Sequence, residues 1–104
     1  MVGPSFYASP ADQWDLILEL IKLAPDDESV LQTIAAGPLE DYLGKFGENV
    51  IQEVEDQAAL DPKFLRVLSG VWKHGMSNEV WKRVRTLQST VENPLPEMQP
   101  FEDQ

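Results

Sequence analysis

The chain contains no cysteine and only one histidine, His74, among 104 residues. The first absence excludes a structural disulfide and any zinc or iron–sulfur site built on thiolates. The second leaves metal binding to carboxylates alone. It also leaves nucleophilic catalysis dependent on His74 lying beside Ser69 or Ser77 with an acid to orient it, an arrangement that the spacing does not support. Long apolar runs are missing too. The most apolar stretch, residues 16–24, is interrupted by Glu19 and Lys22, whereas a membrane span needs about 20 mostly apolar residues. The opening Met1-Val2-Gly3-Pro4-Ser5-Phe6-Tyr7 has no basic region and no apolar core, so no secretory leader is expected. With no thiol to oxidise, a cytoplasmic location fits best. Gly37 and Gly47 lack the Gly-Lys step of a phosphate loop and the strand that should precede it. No cofactor or metal is expected.

Basic residues are scarce. Eight Lys and Arg stand against 18 Asp and Glu, a net charge of -10. Such a balance opposes binding to nucleic acid, which attracts cationic proteins. The deficit is uneven. Residues 1–62 hold 13 acids and two bases, Lys22 and Lys45, a balance of -11. Residues 63–91 hold six bases and Glu79, a balance of +5, and residues 92–104 add four acids. Two readings follow: the basic segment pairs with the acidic one inside the molecule, or the asymmetry steers a charged partner.

Hydrophobic residues, 42% of the chain, suffice for one core, and the length predicts one domain. Every apolar pattern is helical. Ser9-Pro10-Ala11-Asp12 is a helix start, with a serine cap and proline in the first turn. Trp14, Ile17, Leu18, Ile21 and Ala24 follow one helix face, and Leu16, Leu20 and Leu23 widen it, so burial on two sides is expected before Pro25 ends the helix. Asp26 or Asp27 caps a second helix carrying Val30, Leu31, Ile34 and Ala35, stopped by Gly37-Pro38. A short third helix turns Leu39, Tyr42, Leu43 and Phe46 inward, with Glu40 and Asp41 at its positive end, and closes at Gly47. A fourth, over 48–60, has the narrow stripe Val50, Ile51, Val54 and Ala58 and is expected on the outside. Asp61-Pro62 starts a fifth with Phe64, Leu65, Leu68, Val71 and Trp72, leaving at Lys73-His74-Gly75. Ser77 or Asn78 caps a sixth with Val80, Trp81, Val84, Leu87 and Val91 inside.

No segment alternates with the period of a half-buried strand. The fold class expected is all-α, a compact bundle of five or six short antiparallel helices, or stacked helical hairpins. The organisation is an N-terminal extension over 1–8, a single helical domain over 9–91 and an acidic, proline-containing tail over 92–104. In the extension, Phe6 and Tyr7 precede the first helix and can staple it to the core. In the tail, Pro94, Pro96 and Pro100 forbid a helix and favour an extended chain, while Leu95, Met98 and Phe101, three apart, suit a groove of this or another molecule.

The run Ala35-Ala36-Gly37-Pro38-Leu39-Glu40-Asp41-Tyr42-Leu43, with Phe46-Gly47-Glu48 and Ile51 after it, resembles a bacterial family of small helical proteins of unknown function. Asp61-Pro62-Lys63-Phe64, Gly70-Val71-Trp72 and Val80-Trp81-Lys82-Arg83-Val84 continue the likeness, which covers roughly residues 14–85. The resemblance implies a bacterial origin and an all-helical fold. It assigns no activity and no catalytic residue.

Candidate sites each have a plainer explanation. Asp26-Asp27-Glu28 lacks the alternation of a calcium loop and reads as a helix start. Glu40, Asp41 and Glu48 lack the cleft that would separate their pKa values for acid–base work. Lys73, Lys82, Arg83 and Arg85 beside Trp81 make a small footprint for an anion. Trp14, Trp72 and Trp81 fit core positions, although tryptophan is also favoured at interface hot spots. No catalytic set emerges, so a non-enzymatic protein–protein interaction module is expected. Small acidic inhibitors and immunity-type proteins that bind a basic partner share this size and charge, an analogy of composition only. A homo-oligomeric structural or regulatory domain and a minor enzyme using exposed carboxylates are the alternatives. Once helix ends have absorbed Asp12, Asp26, Glu28, Glu40, Asp41 and Asp61, the surplus acids Glu48, Glu53, Glu55 and Asp56 of the fourth helix form the first candidate for partner binding.

Overall fold

The structure, a computed structural model, describes residues 9–96. Phe6, Tyr7, Met98 and Phe101 lie outside these residues. Within them the chain is all-helical, as the apolar periodicity predicts: α1 (Pro10–Leu23), α2 (Glu28–Ile34), a π-helical turn (Ala35–Leu39), α3 (Glu40–Leu60), α4 (Pro62–Leu68) and α5 (Asn78–Gln88). Four helix starts are where the caps place them. The Ser9 hydroxyl accepts the Asp12 amide at 3.1 Å, the Asp27 carboxylate accepts those of Ser29 and Val30, Asp61 accepts Lys63, and Ser77 accepts Val80. Each satisfies amides that a first helical turn leaves free.

The middle of the chain departs from expectation. Gly37-Pro38 does not stop the second helix, and Gly47 does not close the third. Residues 28–60 form one continuous helical path, widened at residues 35–39. Proline in a regular helix lacks a donor and collides with the carbonyl four residues back, here that of Ile34. The wider π turn removes the conflict: the Glu40 amide donates back five residues to the Ala35 carbonyl. Gly47 sits mid-helix for a different reason, close packing. A Cβ built there would lie 3.0 Å from Val80 Cγ1, so its bare backbone admits α5.

α3 is therefore the central element rather than an outer helix, and α1, α4 and α5 all pack on it. Tyr42, Leu43, Val50, Ile51, Val54 and Ala58 are its buried residues, facing Trp14, Ile17 and Ile21 of α1, Phe64, Val67 and Leu68 of α4, and Val80 and Val84 of α5. Trp14 stacks on Tyr42 with centroids 5.5 Å apart and meets Phe64 edge-on at the same distance, a geometry that adds to area burial.

α4 stops at Leu68, well before the exit expected at Lys73-His74-Gly75. Gly70 and Val71 are drawn into the core, and the Gln88 side-chain amide donates to the Leu68 and Val71 carbonyls, closing the helix end from α5. Val91 likewise lies beyond α5, which ends at Gln88. Asn93 to Pro96 is irregular but fastened. Leu95 is buried beside Gly70 and Ala35, its amide donates to the Ser69 hydroxyl, Arg66 donates to the Asn93 carbonyl and Gln32 to that of Pro96. The first member of the proline-spaced apolar trio thus fills a groove of its own molecule.

Gly47→Ala should destabilise the protein by about 1 kcal/mol despite the better helix propensity of alanine, because Val80 is buried and stiff. Leu95→Ala should cost about 2 kcal/mol, at the low end for a buried leucine because its segment can peel away. Urea denaturation with an unchanged slope would confirm both.

Candidate functional site

The four acids of the candidate partner face do not converge. Glu55 is held in a two-pronged pair by Arg83 of α5, with Nε to Oε2 at 2.8 Å. Asp56 accepts from Gln52 at 3.1 Å. Glu53 lies on the opposite flank of α3, where its charge and that of Asp15 reach the Tyr42 hydroxyl. Glu48 borders a polar cleft of about 270 Å³ between α3 and the start of α5, opened by the bare backbones of Gly44 and Gly75.

The other sequence candidates are similarly engaged. Asp27 caps α2, and its neighbours Asp26 and Glu28 both pair with Arg66, at 3.2 and 3.1 Å. Among the described residues no group of three or more His, Asp or Glu is placed to hold a metal ion. Asp41 pairs with Lys45 one turn on. Arg85 lies 5.6 Å from the Trp81 ring centre and donates to Gln88, and Lys73 bonds to Asn78. The basic segment is thus consumed largely within the molecule, in accord with the internal-pairing reading. Glu40 has a different setting from the one its position suggested. No helix begins there, so no free amides await it. It is half-buried and accepts the Trp72 amide at 2.9 Å, tying the α4–α5 loop to α3. Burial raises its pKa above the usual glutamate value, while the Trp72 bond and nearby His74 act against that rise. Burial, helped by Glu53 and Asp15, likewise pushes Tyr42 up to about 12, and its hydroxyl has no hydrogen-bond partner among the described residues.

What remains unclaimed is on α1. Leu16, Leu20 and Leu23 were expected inside, yet they are 56%, 36% and 70% exposed. Among the described residues the neighbours of α1, namely α2, the π turn, α3 and α4, cover its Trp14–Ile17–Ile21 side and leave the second apolar row facing outward beside α2. Spaced by four and three residues, the leucines form one ridge. Leu20, Leu23 and Ala24 then descend into a groove of about 350 Å³ against Val30, Thr33 and Ile34 of α2. Lys63 reaches from the start of α4 to the Ala24 carbonyl and brings the adjoining turn to this end of α1. Leu60, 79% exposed, sits at that turn. At helical spacing Asp12 and Glu19 border the ridge on the side away from the groove, with Asp15 and the single base Lys22 further round, all exposed. None of the three acids is in an ion pair among the described residues. The sequence signal was present in the double width of the α1 stripe. Periodicity shows that a helix has two apolar sides but not which one its neighbours cover.

Among the described residues no helix is long and apolar enough to cross a membrane. A family model described as a family of unknown function (DUF6869) matches residues 2–91. No curated protein and no solved structure matches the chain.

Leu16→Ser and Leu23→Ser should each change stability by no more than about 0.5 kcal/mol, as at exposed positions, whereas Ile17→Ala on the same helix should cost roughly 2 to 5 kcal/mol. Chemical denaturation decides between them. Glu40→Gln should be neutral or stabilising at pH 7. A raised pKa in the folded state means that stability is fully present below the unfolded value of 4.5 and is lost as pH rises through the folded one. The advantage of the glutamine variant should therefore shrink on acidification toward pH 4.5.

Proposed function

We propose that this chain, which belongs to that family of unknown function, is a non-enzymatic protein-interaction module that docks a basic partner on the outward face of α1. The observation that carries this reading is the exposed ridge Leu16–Leu20–Leu23 with its groove against α2, bordered by acids that make no ion pair among the described residues. Monomeric proteins seldom leave a contiguous apolar surface rimmed by charge unless something covers it. The acids add direction: exposed charge steers a cationic partner and rejects anionic ones, most strongly at low salt. The site of interest thereby moves from the acids of α3 to α1, because Glu55 is already paired and the remaining three lack an apolar centre. Such an arrangement suits an acidic inhibitor or immunity-type protein of bacterial, cytoplasmic origin.

Two competing readings lack a comparable anchor. A homo-oligomer joined through acidic and basic helices would need Arg66 and Arg83, which already bind acids of their own chain. Carboxylate catalysis would need an open pair, whereas Glu40 is bound to Trp72 and Asp41 to Lys45.

The test is capture from the source cell with the full chain and with the Leu16→Ser/Leu23→Ser variant as baits. One identified basic protein should be retained by the first at low salt and depleted about tenfold on the second, equal to a loss of about 1.4 kcal/mol. Equal retention by both baits would refute the reading.

A further inference from the structure

We infer that the occupant of the α1–α2 groove is a cationic amphipathic helix of the partner, about as long as α1. This inference rests on the docking face proposed above and names the chemistry of what fills it. Three modes of peptide capture are general: adding a strand to a sheet edge, seating a polyproline segment on aromatic rings, and laying a helix into an apolar groove. The described residues contain no strand, so there is no edge to extend. The groove wall is Leu20, Leu23, Ala24, Val30, Thr33 and Ile34, with no aromatic ring on which proline could stack. A helix satisfies its own backbone donors and acceptors and so can press a continuous apolar stripe onto leucines without leaving amides unpaired. The ridge itself has the spacing by which helices interlock: its four-residue and three-residue steps are the rows that fit between the rows of a second helix.

Charge selects the sign of the occupant. At helical spacing Asp12 and Glu19 line one flank of the ridge, with Asp15 and Lys22 further round the same side, so the flank is net negative and a helix seated there gains from Lys or Arg beside its apolar stripe. A second copy of this chain seated face to face would set those acids against their own kind. An anionic membrane surface would be repelled in the same way.

A synthetic peptide of leucine and lysine with leucines at helical spacing, about 15 residues long to match α1, provides the probe. Two controls accompany it: the same composition with strict alternation, and a leucine–glutamate counterpart. Added to the full chain, the helical cationic peptide should bind saturably one to one, gain helicity by circular dichroism and weaken as salt rises. Leu20→Glu should reduce its affinity by at least about tenfold, and Asp15→Asn/Glu19→Gln should flatten the salt dependence, with the fold of both variants checked by their own spectra. Equal binding of the alternating peptide, binding unaffected by Leu20→Glu, or preference for the glutamate peptide would overturn the inference. So would leucine-dependent self-association in sedimentation, or flotation of the chain with phosphatidylglycerol vesicles. If no helical peptide binds while partner capture still depends on Leu16 and Leu23, the helix is wrong and the docking face stands. If neither depends on the leucines, both fall.

Discussion

Pro38 lies inside a helical path, and the way its ring is accommodated shapes the rest of the molecule. A regular turn would press the ring against the Ile34 carbonyl. Opening the turn to π geometry lets Glu40 bond to Ala35 instead, and the chain continues from α2 into α3 without a break. α2 and α3 therefore meet end to end and do not fold back as a hairpin. The 21 residues of α3 become the axis on which α1, α4 and α5 gather. With those neighbours all on one side of α1, its second row of leucines has nothing to pack against. The outward exposure of that leucine row thus follows from a steric conflict at a single proline some distance along the chain.

Electrostatics narrows that face further. The acidic first part and the basic later part of the chain meet inside the fold. Arg66 bridges α4 to Asp26 and Glu28, and Arg83 bridges α5 to Glu55. These contacts link the helices, although largely exposed pairs of this kind add little to stability. Their larger consequence is subtraction. Arg83, Arg85 and Lys73 of the cations that might have bound phosphate are engaged within the molecule, as is one of the acids that might have met a partner. Asp12, Asp15 and Glu19 on α1 make no ion pair among the described residues, and with Lys22 they leave that side of the helix net negative beside the leucines.

Local chemistry was legible wherever it is decided within a few residues. Ser9, Asp27, Asp61 and Ser77 cap helices because a side-chain oxygen two or three positions before a free amide reaches it whatever the rest of the chain does. Trp14, Ile17 and Ile21 of α1, the buried residues of α3, and Val80 and Val84 of α5 followed from spacing. Glycine and proline were less legible, since both have more than one use. Gly47 resembles a helix stop but serves the approach of Val80, and Gly70, just beyond α4, leaves room for Leu95, a residue 25 positions later. Glu40 resembled a first-turn acid and proved to be a tether for the loop at Trp72.

The sequence by itself determined that the protein is helical, where most helices begin, and that thiol chemistry is absent. Each is a property of neighbouring residues or of composition. Only the tertiary structure decided which of the two apolar sides of α1 is covered, which charges cancel and where Leu95 rests. Those outcomes depend on groups tens of residues apart, and the three-dimensional path through the widened turn at Pro38 sets the distances between them.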